Sequence, residues 1–212
     1  MRAILIANGE LTDLNTVSAT LRPDDLLIAA DGGLRYFRAL GLWPTVVIGD
    51  LDSILPEDRV ALDEAGVRVE QFPTRKDQTD LELAVRFARD AGAHDILIFG
   101  ALGGRWDQSL ANLLLLAHPD LGDARLRLMD GLQTLYLARG TTEIEGQPGD
   151  TVSLIPLTGD AQGVTTDGLD YPLTDGTLPF GATLGVSNVL VGERATVTVR
   201  EGAVMCIVIH NL

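Results

Sequence analysis

The sequence predicts an α/β fold: a mostly parallel sheet flanked by helices over residues 1–140, followed by a smaller all-β sandwich domain over residues 141–212. In the first part, short runs rich in Ile, Leu and Val alternate with longer amphipathic stretches, the rhythm of βα units. Those runs are apolar continuously rather than alternately, as expected of strands covered on both faces. After about Gly140 the texture changes to clusters of Gly, Pro, Asp and Thr between short segments, and no helix-length periodic run remains.

Strands are expected at 3–7, 26–30, 46–49, 67–72, 96–99 and 126–129. Beyond Asp77, Leu81, Ala84, Val85 and Ala88 fall at i, i+3, i+4 and i+7, the spacing of one buried helical stripe. Thr79 with Glu82 three residues later reads as a capping box that starts this helix. A second helix is expected over 109–116, ending before Pro119. In the last third, segments 151–155, 195–199 and 204–209 read as strands. Thr196, Thr198 and Arg200 alternate with Ala195, Val197 and Val199, the pattern of a strand with one face in solvent.

Apolar residues make up 46% of the 212 residues and charged residues 22%, the balance of a globular chain rather than a disordered one. Thirty acidic against sixteen basic residues give a net charge of -14, a field that repels nucleic-acid backbones and excludes them as partners. A polyphosphate could still bind beside a divalent cation and a few local bases, and a cationic co-substrate would be attracted. Cys206, in an apolar run, can form neither an intrachain disulfide nor, alone, a zinc site. The short apolar run at the N-terminus is too brief for a signal or spanning segment, so a cytoplasmic location away from membranes is expected. The three histidines lack metal-ligand spacing, and no G-x-S-x-G elbow occurs.

The chemistry-bearing residues gather at strand ends. At the end of the third strand, Asp50 and Asp52 are separated by one residue, and in extended backbone such positions point to one side, where they could share a cation. A polar turn capped by Asp52 and Ser53 fits equally well. Next come Lys76, Asp77 and Asp80 at a helix N-terminus, where capping explains Thr79 and Asp80 but not the crowding of all three charges. A metal bridging Asp80 to Asp50 and Asp52, with Lys76 on a phosphate, would explain it. After the fifth strand, Gly103-Gly104-Arg105-Trp106-Asp107 offers backbone N–H groups and a guanidinium to phosphate, although its spacing is neither the Walker nor the dinucleotide pattern. Asp31-Gly32-Gly33 at the second strand end could admit a nucleotide, with Asp31 on a ribose hydroxyl, or form a plain turn.

In order along nearly the whole chain, Asp31-Gly32-Gly33, Gly49-Asp50-Leu51-Asp52-Ser53, Lys76-Asp77-Gln78-Thr79-Asp80, Gly103-Gly104-Arg105-Trp106-Asp107, Gly168-Leu169-Asp170-Tyr171-Pro172-Leu173 and Gly185-Val186-Ser187-Asn188 resemble the bacterial thiamine pyrophosphokinases. The resemblance implies transfer of the terminal diphosphate of ATP to the hydroxyl of thiamine, release of AMP, Mg²⁺ as cofactor, and a homodimer with active sites at the subunit interface. It implies that Asp50, Asp52 and Asp80 hold the metal. Asp31, Gly32, Lys76, Asp77, Gly103, Gly104, Arg105 and Asp107 would frame the nucleotide, and Ser187, Asn188 and Tyr171 the thiamine. Leu51 stands where the family often has Phe, and Gln108 where it often has His, so no histidine base is expected in that loop. Two other readings remain at this point: a diphosphokinase of the same fold acting on another alcohol such as a hydroxymethylpterin, or a non-catalytic thiamine or nucleotide sensor.

Overall fold

The structure, a computed structural model, describes residues 1–211 apart from Ser53, Leu55 and Asp123. The cap expected of Ser53 therefore lies outside the described residues. The chain forms two compact units, one of residues 1–115 with 119–131, the other of residues 116–118 with 132–212.

The first unit runs β1 (Arg2–Ile6), α1 (Leu14–Thr20), β2 (Leu26–Ala30), a 3-10 turn (Asp31–Gly33), α2 (Leu34–Ala39), β3 (Val46–Gly49), α3 (Pro56–Glu64), β4 (Arg68–Gln71), α4 (Asp80–Asp90), β5 (Asp95–Phe99), α5 (Trp106–Leu115) and β6 (Arg125–Asp130). Its strands pair in parallel in the order β6-β5-β1-β2-β3-β4. Ala3, Ile4, Leu5 and Ile6 are all fully buried, which is why β1 reads as one uninterrupted apolar run. On one face Ile4, Ile6, Ala29, Val47, Leu97 and Phe99 form a cluster with Val17 of α1, Leu34 and Phe37 of α2 and Leu62 of α3. Helix α4 packs on β1, β2 and β3 through the expected stripe of Leu81, Ala84, Val85 and Ala88. Each such Leu or Val contributes roughly 1.5 to 3 kcal/mol on burial.

The chain lays down β1 to β4 in one direction, then returns to place β5 on the other side of β1. That reversal opens a crevice between the carboxyl ends of β1 and β5, where open α/β sheets bind their ligands.

The second unit contains β7 (Gln133–Glu145), β8 (Thr151–Pro156), β9 (Ala161–Asp167), β10 (Gly176–Leu178), β11 (Asn188–Val189) and β12 (Arg194–Ile209). Strand β12 pairs antiparallel with β7 along its length, with β9 mainly through its first half and with β8 through its second. Its register against β7 jumps between Val199 and Val204, opposite Gly140, whose φ of 65° turns the partner strand at the same place. The irregularity falls where β12 passes from pairing with β9 to pairing with β8, over a common core that includes Ile144, Val152, Leu154, Val164, Val197 and Cys206. Because β7 continues through Gly140, the compact units divide after Gly131, whereas the sequence places its change of texture near 140. Among the described residues, no helix is long and apolar enough to cross a membrane.

Candidate functional site

A cleft of about 630 Å³ lies in the first unit. Its floor is the crevice just described: Ala7, Asn8, Gly9 and Glu10 follow β1, and Gly100 to Gly104 follow β5. Gly100 has a φ of 63°, and a Cβ there would stand 2.8 Å from the Ala7 carbonyl, so the two strand ends can approach closely only with glycine at this position. Asp31, Asp50, Lys76, Asp80, Gly103, Gly104 and Arg105 also line the cleft. Gly32, Asp52, Asp77 and Asp107 do not.

Asp31, Asp50 and Asp52 each bring one carboxylate oxygen within 4.8 Å of the others. Asp50 and Asp52 do not converge through extended backbone, as the sequence suggested. Leu51 has a φ of 63°, and the Asp52 N–H donates to Asp50 Oδ1 at 3.2 Å, so a left-handed turn folds the second acid back over the first. Leu51 is 5% exposed, and its side chain joins the core below, anchoring a conformation that branched residues avoid. Asp31, for which the sequence left a ribose contact or a plain turn open, is the third member of the trio and also adopts a positive φ, 48°.

Asp80 borders the trio: a Cβ on Gly49 would lie 3.2 Å from Asp31 Cβ and 3.3 Å from Asp80 Oδ1. Its Oδ1 is ion-paired with Lys76 Nζ at 2.9 Å, yet it is buried and receives no donor in hydrogen-bonding geometry. The Asp52 N–H holds the Asp50 carboxyl below the usual carboxylate range, helped by the charge of Lys76. Asp52 moves the other way, because the charge of Asp50, followed by desolvation and the charges of Asp31 and Asp80, makes its ionisation unfavourable.

Thr79 caps α4 by accepting from the Glu82 N–H at 3.2 Å. Only this half of the expected box is made, since Glu82 Oε1 accepts instead from Arg86 Nε at 3.0 Å. The cap fixes the turn carrying Lys76 and Asp80 at the cleft, while Asp77 is exposed outside it. Helix α5 begins three residues before the expected 109, so Arg105 and Asp107 flank its first turn. Their side chains pair at 2.5 and 3.1 Å. That contact raises the pKa of Arg105 and lowers that of Asp107.

Sequence reasoning missed Asn8, Glu10 and Arg35, which also line the cleft. Ala7-Asn8-Gly9-Glu10 follows β1 as one more polar, glycine-containing loop at a strand end, the same signal used for the other strands.

In the second unit, Asn188 is 7% exposed, and its amide is spent on backbone: Oδ1 accepts from the Tyr171 and Val189 N–H groups, and Nδ2 donates to the Tyr171 carbonyl at 2.7 Å. It therefore holds the Tyr171 loop against β11, and Tyr171 as a residue is 70% exposed. Ser187 is exposed at a φ of 62°.

The family profile described as "Thiamin pyrophosphokinase, catalytic domain" matches residues 17–128, and "Thiamin pyrophosphokinase, vitamin B1 binding domain" matches residues 141–204. The chain is 30% identical over 205 residues to the thiamine pyrophosphokinase of Bacillus subtilis (strain 168), covering 96% of each. The solved thiamine pyrophosphokinase of Bacillus subtilis superposes with a TM-score of 0.89 at 29% identity over the whole of both chains. That of Geobacillus thermodenitrificans gives 0.85 at 29% identity, covering all of this chain and 98% of the other. With its parallel sheet, its cleft at the β1–β5 crevice and these likenesses over both units, the chain belongs to the thiamine pyrophosphokinase family.

Proposed function

We propose that the protein is a thiamine diphosphokinase that transfers the diphosphate of ATP to thiamine, giving thiamine diphosphate and AMP. The observation that carries this reading is the cleft at the β1–β5 crevice, lined by Lys76, Arg105 and the Gly103-Gly104 backbone together with Asp31 and Asp50, whose carboxylates gather with that of Asp52. In the transfer, the thiamine hydroxyl oxygen forms a bond to the β-phosphorus, the bond from that phosphorus to the α-phosphate oxygen breaks, the hydroxyl proton is lost, and AMP departs. Such transfers depend chiefly on alignment and charge neutralisation. Lys76 and Arg105 supply positive charge to the polyphosphate, and the α4 and α5 first turns fix where that charge sits.

The residues fit a hard divalent cation such as Mg²⁺: the donors are all oxygens, the mutual charge of the acids raises the pKa of Asp52, and the buried Asp80 Oδ1 has the Lys76 ammonium beside it but no hydrogen bond of good geometry. Asp50 and Asp52 with Asp31 would hold it, and Asp80 would lie beside them. When bound, the cation neutralises phosphate charge and polarises the phosphorus centre.

The remaining parts of the reading are a homodimer in which a second copy completes the acceptor site, with Tyr171 and Ser187 facing thiamine, and a cytoplasmic location. Exposed apolar side chains support an association surface: Trp106, Leu110 and Leu114 on α5, and Leu184, Val186 and Val191 in the second unit. The acidic field favours a cationic acceptor such as thiamine over a neutral pterin.

Purified protein incubated with ATP, thiamine and Mg²⁺ should yield AMP and thiamine diphosphate in equal amounts, with no product from a hydroxymethylpterin. Asp52→Asn should abolish AMP formation while leaving the melting temperature within a few degrees of the parent. Retained activity in that variant would remove Asp52 from the site, and absence of product from the parent would leave a sensor.

A further inference from the structure

We propose that Asn8, oriented by Arg35, is a positioning residue that sets the Asp31 carboxylate for the acidic trio. Asn8 Nδ2 donates to Asp31 Oδ2 at 3.2 Å. Arg35 Nη1 donates to the other end of the same amide, Asn8 Oδ1. A cation on Oδ1 allows only one orientation of the amide, the one that points its N–H groups at Asp31. Reversed, the amide would set an oxygen against a carboxylate and a nitrogen against a guanidinium.

Arg35 is itself held in place. Its Nη2 lies 3.1 Å from the Asn8 carbonyl, 3.0 Å from the Gly9 carbonyl and 2.8 Å from the Tyr36 hydroxyl, its guanidinium sits 4.5 Å from the Tyr36 ring centre, and Tyr36 donates to the Gly9 carbonyl at 2.6 Å. The β1 loop is thus tied to the start of α2. Gly32 makes room for the amide: a Cβ there would stand 2.4 Å from Asn8 Oδ1.

The arrangement has a physical purpose. Asp31, Asp50 and Asp52 repel one another at this separation, and that repulsion favours rotation of the Asp31 side chain away from its neighbours. A neutral donor fixed on one Asp31 oxygen opposes that rotation without adding another charge. Partners of this kind behind ligating groups are typically worth about 10- to 100-fold in metal affinity.

The proposal rests on the metal reading of the trio, and its test separates the two. Mn²⁺ alone, titrated into the full-length protein and followed by electron paramagnetic resonance, reads affinity without turnover. Asp50→Asn should raise the Mn²⁺ Kd strongly; if it does not, the metal reading itself fails. With that effect present, Asn8→Ala and Arg35→Lys should each raise the Kd by about tenfold. The double variant Asn8→Ala with Asp31→Asn should be no weaker than Asp31→Asn alone, because Asn8 acts through Asp31. Unchanged Kd values in both single variants, or losses that add in the double variant, would overturn the positioning role. Circular dichroism spectra matching the parent establish that each variant is folded, and the conservative Asn8→Gln should recover part of the lost affinity.

Discussion

Asp50 and Asp52 are two residues apart and their pKa values are displaced in opposite directions, one lowered by a backbone N–H and the other raised by its neighbours' charge. The sequence supplied the pair but not its geometry, because an alternation of acids does not reveal the left-handed Leu51 between them. Asp31 was legible as an acid at a strand end, and its place in the trio was not, since that depends on how β2 and β3 lie side by side. Asn188 was legible as a site candidate, and its hydrogen bonds to the backbone of its own unit were not. Glycine is constrained just as closely at one point. A Cβ on Gly33 would meet the Ile6 carbonyl at 2.0 Å, so Gly33→Ala must move α2 from the end of β1. We expect a loss of about 1 to 3 kcal/mol in urea unfolding.

At the scale of elements, strands covered on both faces were readable from composition, and α4 from its stripe. Short helices were not. Helix α2 has six residues, and α3 opens on Pro56-Glu57-Asp58 and carries little apolar surface on any face, so neither offers a periodic pattern long enough to recognise. The change of texture near 140 has a local cause: Gly140 reads as a break in the sequence and forms the bend of a long paired strand. Thr79 can be tested at this scale. Thr79→Ala removes the acceptor for the Glu82 N–H and should cost about 1 kcal/mol in equilibrium unfolding. Because the same turn carries Lys76 and Asp80, the KM for ATP should rise as well.

Over the molecule as a whole, two further outcomes are expected. Asp150, 1% exposed, is opposed by desolvation, but donors from the Asn211 and Gln147 backbone and from His210 outweigh it and lower its pKa. Its contribution to stability is complete above an unfolded-state pKa of about 3.9 and disappears as pH falls through the lower folded value. Urea midpoints measured between about pH 2 and 7 should therefore drop at the acid end for the parent and stay flatter, from a lower starting value, for Asp150→Asn. The second concerns association: Trp106, 85% exposed at the head of α5, should lie in any contact made by the Leu110 and Leu114 stripe. If the proposed homodimer uses this face, the parent sediments as a dimer and Trp106→Glu should shift it toward monomer.

Trp106 also sits between the paired Arg105 and Asp107, and in the proposed reaction that pair would bear on selectivity. A guanidinium already matched by its own carboxylate is a poor target for a lone inorganic anion, which would have to evict Asp107 for little return. A chain of phosphates that reaches Lys76 and the glycine loop in the same event can carry out the exchange. On the function proposed above, the internal counter-ion would act as a filter, letting free phosphate in the surrounding solution pass while a polyphosphate is retained.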